Sequence, residues 1–206
     1  MYATRSEAPD AVRIRNIVLF IKRDQIHADT RRPYVELVVE RMASGLGPPL
    51  RDLFAGDTVL VPVPGASLTR PNTVWPALSI CRALLRAGLG ASVAPLLQRA
   101  RAVPKSAGSQ NRPPLKEHYE SFEVQGTLDP PRRSVLVDDV VTSGTTLMAG
   151  ARRLDEAFPR AAIAAFALAR VQSSGEPPIL FEPVIERVVV AGARCRREQE
   201  SSGTMF

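Results

Sequence analysis

Two adjacent carboxylates, Asp138 and Asp139, end the apolar run Val135-Leu136-Val137, and the hydroxyl-rich turn Thr142-Ser143-Gly144-Thr145-Thr146 follows shortly after. A helical pattern begins at once beyond the turn. The arrangement reads as a buried strand that delivers two acids to a polar edge, then a turn at a helix N-terminus. Such a turn directs unpaired backbone N–H groups at one spot, with the positive end of the helix dipole behind them, and phosphate fits there. The acids would repel a phosphate, so their partners are sugar hydroxyls or a metal ion. Phosphate at one end and a diol at the other describes a ribose 5-phosphate. An ordinary strand-to-helix turn capped by Thr and Ser accounts for the hydroxyls, but not for two neighbouring acids at the end of a buried strand.

The elements that must position these groups alternate along the chain. Residues 11–21 (AVRIRNIVLFI) read as a strand. Residues 32–44 read as a helix, ended by Gly45 and Gly47-Pro48-Pro49. Residues 57–63 (DTVLVPV) form a short buried strand running into Pro64-Gly65-Ala66-Ser67. Val74, Ala77, Leu78, Cys81, Leu84 and Leu85 then recur at helical spacing up to Gly88 or Gly90. A strand is expected over 91–97 and a loop over 99–114. A short strand follows at 119–124, and the motif strand spans 134–140. A helix over 147–158, a strand over 161–169 and a strand over 181–191 complete the set, followed by a polar, frayed tail from Arg197.

Strands alternating with helices imply an α/β fold, a Rossmann-like, mostly parallel sheet with flanking helices and right-handed crossovers. Ligands bind such sheets beyond the C-terminal strand ends, at a topological switch point. The acids and the Pro64-Gly65-Ala66-Ser67 turn would both lie on that edge. There is no internal repeat or long linker, so a core over 51–195 is expected, with a small N-terminal extension or hood element over 1–50 and the polar tail over 196–206.

Composition narrows the function classes. The chain has 206 residues, 45% of them hydrophobic, and no apolar run approaches the ~20 needed to span a membrane. The start, MYATRSEAPD, has no apolar core of a secretory signal, so a cytoplasmic location and no membrane partner are expected. Cys81 and Cys195 could pair, but two isolated cysteines in a signal-less chain read as reduced and structural. With His27 and His118 far apart, a structural zinc site is not expected. The net charge of +6 suits a polyanionic substrate or a nucleic acid. Aromatics at 5% and dispersed basic residues do not favour nucleic acid. Arg99, Arg101, Lys105, Arg112 and Lys116 do cluster in one Pro-, Ser- and Gly-rich stretch. Each alone reads as a solvated loop residue.

DDVVTSGTT, with the apolar strand before it, resembles the phosphoribosyl-pyrophosphate (PRPP) loop of the type I phosphoribosyltransferases. The resemblance implies that Asp138 and Asp139 hold the ribose 2′ and 3′ hydroxyls, and that Thr142, Ser143, Gly144, Thr145 and Thr146 hold the 5′-phosphate. It also implies that the loop after the first core strand, Pro64, Gly65, Ala66 and Ser67, binds the pyrophosphate group through backbone amides, with Gly65 allowing close approach and Ser67 and Arg70 adding donors. Val61-Pro62-Val63-Pro64, followed later by the basic stretch, resembles the ComF-type branch. Departures are the missing amino-terminal zinc-binding cysteines and the different spacing of Lys105-Ser106 and Arg112. The resemblance covers about residues 57–170.

The activity so implied is transfer of a 5-phosphoribosyl group from PRPP to a nucleobase or related acceptor, with release of pyrophosphate and with Mg2+ bound through Asp138, Asp139 and PRPP itself. The transition state has oxocarbenium character, so leaving-group neutralisation and positioning dominate. Arg101 and Lys105 are the candidates to close over the pyrophosphate. Asp138, Asp139 and Thr142 are the candidate catalytic residues. Thr142 stands where purine-specific relatives often carry an Asp, which makes a 6-oxopurine less favoured. Phe181, Phe166 or Trp75 could stack on a base, although each reads better as core. A homodimer is expected. The alternative is a non-catalytic PRPP- or nucleotide-binding protein of regulatory or ComF-like, DNA-uptake-associated type.

Overall fold

A computed structural model of the chain describes residues 2–3, 9–67, 73–104, 113–171 and 184–199. In chain order the elements are β1 (Tyr2–Ala3), α1 (Pro9–Lys22), α2 (Tyr34–Ser44), α3 (Pro48–Leu53), β2 (Val59–Pro62), α4 (Pro76–Arg86), β3 (Ser92–Val93), β4 (Leu97–Arg99), α5 (Leu115–Ser121), β5 (Phe122–Val124), β6 (Arg133–Val141), α6 (Thr145–Ala157), β7 (Ala162–Val171), β8 (Glu186–Ala191) and β9 (Arg194–Gln199). The central sheet has the order β1-β7-β6-β2-β3, and every pairing in it is parallel. The expected α/β class, a parallel sheet flanked by helices, is the fold observed.

The strands read as continuous apolar runs because both faces of the sheet are covered. Side chains alternate between the faces. Leu60, Val135, Val137, Phe166 and Leu168 join one core with α2 and α4 residues such as Val39, Ile80 and Leu84. Val61, Val63 and Leu136 join a second core with Leu147, Ala149 and Leu154 of α6 and with Phe122. From β2 the chain passes through α4 to β3 on one side. From β6 it passes through α6 to β7 on the other, so the β2–β6 gap is the switch point. Val59–Pro62 pair with Ser134–Val137, and the Val63 N–H donates to Val137 O at 2.9 Å. The turn after β2 therefore starts beside Asp138.

Several sequence expectations are corrected. Residues 11–21 are helix rather than strand: the buried positions Ile14, Val18 and Ile21 recur at helical spacing, and they pack on Ala169 and on the α2 side of the core. Packing over the sheet outweighs the β-branched composition. Pro48 does not simply stop α2. It opens α3, a position where its missing N–H costs nothing. The expected strand over 91–97 is two short strands in different sheets. Pro95, which has no N–H for a ladder, lies between them. Residues 119–121 belong to α5, with β5 starting at Phe122. The polar tail starts as strand: Arg196–Gln199 pair antiparallel with β8, as the second arm of a hairpin. Of the residues expected as strand over 181–191, 181–183 lie outside the described residues. Among the described residues no helix is long and apolar enough to cross a membrane.

Candidate active site

β6 carries both acids to the C-terminal edge of the sheet. The Asp139 N–H donates to Asp138 Oδ1 at 2.8 Å. Burial, and next the neighbouring Asp139 charge, push the Asp138 carboxyl up to about 7; the Asp139 N–H, Lys22 and Arg99 pull the other way. By surface area Asp138 is only half-buried, so its desolvation comes from dense packing around an edge that still reaches solvent. Asp139 is met by Lys22 at the end of α1, whose Nζ lies 2.6 Å from Asp139 Oδ2.

The turn after β6 is shaped by Gly144. Its φ of +82° is left-handed, and a Cβ there would lie 2.8 Å from both γ-carbons of Val188. Gly144 caps α6, and the Met148 N–H donates to its carbonyl at 2.9 Å. Thr145 is buried: its Oγ1 is 2.9 Å from Ser143 Oγ and accepts from the Cys195 N–H at 3.2 Å. Its side chain thus holds the loop to β9, while Thr142, Ser143 and Thr146 keep part of their surface exposed. α6 begins at Thr145, so the hydroxyl-rich turn lies at a helix N-terminus.

On the other side of the gap, the turn Pro64-Gly65-Ala66-Ser67 is held by its carbonyls. Trp75 Nε1 donates to Val63 O at 2.8 Å, Arg99 Nε to Gly65 O at 3.0 Å and the Val103 N–H to Ala66 O at 2.9 Å. Arg99 is buried. It also donates to His118 O and Ser121 Oγ, touches His118 Nδ1 at 3.2 Å, and lies 3.8 Å over the Phe122 ring. Burial lowers its pKa to about 10, and burial together with the Arg99 charge lowers that of His118 to about 4.

Asp138, Asp139, the Thr142–Thr146 turn and the start of the Pro64–Ser67 turn thus gather at one sheet edge. Arg101 is half-exposed and pairs with Glu120 at 3.2 Å. Lys105, Arg70 and Phe181 lie outside the described residues. Phe166 is core, edge-on to Phe54, and Trp75 serves the Val63 carbonyl. Both cysteines are free and buried, and desolvation raises both thiols. A largely apolar cavity of about 470 Å3 runs along the edge of β7, lined by Leu50, Val141, Met148, Phe166 and Arg170, but neither acid lines it.

Two site residues escape the sequence reading. Lys22 is hidden by reading α1 as a strand; the spacing of Ile14, Val18 and Ile21 would reveal a helix with a lysine in its last turn, where a cation is favoured. Arg99 is grouped with the basic stretch, and sequence alone does not separate it from its solvated neighbours. The acid pair offers carboxylate oxygens to a hard divalent cation, and Asp139 already draws an ammonium group. Asp138 and Asp139 would hold such an ion, with ligand oxygens completing its shell.

No family model matches the chain, and no curated protein matches it in sequence. Solved structures do match in shape. A hypoxanthine phosphoribosyltransferase from Staphylococcus aureus is 13% identical over 66% of this chain and 64% of its own, just under two thirds of its length, at a TM-score of 0.38. An adenine phosphoribosyltransferase is 16% identical over 64% and 69%, at 0.39. A hypoxanthine phosphoribosyltransferase from Trypanosoma cruzi is 13% identical over 66% and 76%, at 0.33.

Proposed function

We propose that this protein binds PRPP and transfers its 5-phosphoribosyl group to a nucleobase or related acceptor, releasing pyrophosphate. The observation that carries the reading is the pairing of β2 with β6. It puts two carboxylates between a helix N-terminal turn and a second turn tethered by its carbonyls. Carboxylates accept hydrogen bonds from a ribose diol, and the flanking turns offer amides to the 5′-phosphate and to the pyrophosphate. Mg2+ on the acids and PRPP would supply charge neutralisation for the leaving group. Asp138 and Asp139 orient the ribose, and the turn from Thr142 to Thr146 anchors the far end of the sugar. Fixing both ends of a charged substrate is how such a site gains rate without a covalent step.

Calorimetric titration of PRPP with Mg2+ into wild type and the Asp138→Ala/Asp139→Ala variant tests it. Micromolar binding that the double variant loses supports the reading and justifies a screen of bases for pyrophosphate release. Absence of binding to either protein overturns it. The ComF-like resemblance supports a second reading, a PRPP- or nucleotide-binding regulatory protein without turnover. Tight PRPP binding with no pyrophosphate release across the base screen would favour it.

A further inference from the structure

Arg99 is 6% exposed, and its partners among the described residues are all neutral: Gly65 O, His118 O and Nδ1, Ser121 Oγ and the Phe122 ring. Burying a guanidinium is costly; four neutral polar atoms take its N–H groups, and the carboxylate whose charge acts on it is Asp138 of the acid pair. His118, held neutral by its own burial and by the arginine, accepts rather than competes. The field of this charge reaches Asp138.

Peptide geometry says where that anion lies. No peptide bond among the described residues is cis, and in a trans peptide the carbonyl and the following N–H point in opposite directions. Gly65 O is turned toward Arg99, so the Ala66 N–H is turned away from it. Ala66 O is turned toward the Val103 N–H, so the Ser67 N–H is turned away from that. Both tethers come from one stretch, Arg99 to Val103, and among the described residues neither of the two outward N–H groups is used in a hydrogen bond. Two successive free amides with a buried cation behind them form an anion-binding concavity. It begins beside Asp138, on the opposite side of the acids from the Thr142–Thr146 turn.

We infer that Arg99 is a positioning residue for pyrophosphate: it fixes the Gly65–Ala66 peptide with its N–H toward the anion. The inference rests on the phosphoribosyl-transfer reading above. Arg101 and Lys105, the candidates from sequence, are not needed for it.

The test uses the full chain and two probes, inorganic pyrophosphate with Mg2+ and ribose 5-phosphate, titrated calorimetrically into wild type, Arg99→Met and Arg99→Lys. Arg99→Met should weaken pyrophosphate by roughly 10-fold, the size expected when a backbone donor to a charged group is no longer held in place, and leave ribose 5-phosphate within about twofold. Arg99→Lys should fall between, keeping the charge but not the fork that holds three neighbours at once. Unchanged pyrophosphate affinity in Arg99→Met, or equal loss of both probes in a folded Arg99→Lys, overturns the inference. Should the variants not fold, the Arg99 Nε–Hε NMR signal of wild type decides. It should shift with pyrophosphate and not with ribose 5-phosphate, and a signal that pyrophosphate leaves unmoved overturns the idea. Acid-dependent PRPP binding with Arg99-independent pyrophosphate binding sinks this inference alone. The reverse pattern sinks the transferase reading alone.

Discussion

The Lys22 ammonium lies 2.6 Å from Asp139 Oδ2, although the two residues are 117 positions apart in sequence. One of the two acids is thus already engaged by a cation, and that cation arrives on the last turn of α1. The contact does two things. It offsets part of the repulsion between Asp138 and Asp139, and under the proposed function it competes with a divalent ion or a ribose hydroxyl for Asp139.

Replacing Lys22 by Met should therefore raise the affinity of the free protein for Mn2+ several-fold, read by the EPR signal of unbound metal. The stability cost should be small. With the side chains 38% and 17% exposed, the pair sits closer to a surface ion pair, worth about 0–1 kcal/mol, than to a buried one. Urea melts check that. Unchanged or weaker Mn2+ binding in Lys22→Met would show that the ammonium does not compete for the site.

Two groups shifted by desolvation, His118 and Asp138, should give the acid limb of stability opposite slopes. The folded His118 pKa is depressed from 6.5 to about 4, first by burial and then by Arg99. Between those values the unfolded chain binds the extra proton, so this term makes stability rise with pH up to about 6.5. Asp138 is raised from 3.8 to about 7, first by burial and then by Asp139. Here the folded state binds the extra proton, so this term makes stability fall as pH rises from 3.8 to about 7. Each contributes at most about 1.4 kcal/mol per pH unit, and they largely cancel where the windows overlap. His118→Asn keeps an acceptor for Arg99 and should leave a stability that declines from pH 4 to 6.5. Asp138→Asn should leave one that climbs over the same interval. Chemical denaturation across pH measures both, and parallel curves for the two variants would refute the assignment.

Gly144 is constrained twice. Its φ of +82° costs a residue with a Cβ about 1–2 kcal/mol, and that Cβ would sit 2.8 Å from Val188 Cγ1 and Cγ2. Gly144→Ala should destabilise by about 2–5 kcal/mol, the backbone term plus a typical overpacking cost. In the Val188→Ala background its added cost should drop toward the backbone term alone. A double-mutant cycle by thermal melts separates the two, and full additivity would mean that the β8 contact is not made in solution.

How much of this was legible in the sequence follows from the range of the interactions. The Asp138-Asp139 pair and the glycine-containing turn are local, set by a strand, its end and the next helix, so their order alone placed them on β6 and the start of α6. The parallel sheet was legible for the same reason, because apolar runs alternate with helical spacing. Lys22 and Arg99 were not recognised, because their roles depend on partners far along the chain. In sequence α1 reads as a strand because Val12, Ile14, Ile17, Val18 and Ile21 are β-branched, and only the burial of Ile14, Val18 and Ile21 decides between periods. β9 looked like a polar tail since its ladder is made with β8 and its charges are satisfied across the hairpin.

Those charges give the last prediction. Glu186 on β8 lies between two guanidiniums, 2.6 Å from Arg170 Nη1 and 2.9 Å from Arg197 Nη1, with all three side chains at most 15% exposed. Arg197 Nη2 also donates to Val171 O at 2.6 Å, so the carboxylate ties the hairpin to the end of β7. A buried cluster of this kind adds little net stability compared with apolar residues, but removing its shared member is expensive. Glu186→Gln should therefore cost about 3–5 kcal/mol, because two guanidiniums would lose the carboxylate they share. The triple replacement Arg170→Met/Glu186→Leu/Arg197→Met should recover most of that loss. If Glu186→Gln melts within about 0.5 kcal/mol of wild type, the size of an ordinary surface change, the hairpin is not packed on β7 in solution. The Val188 side chain would then no longer constrain Gly144.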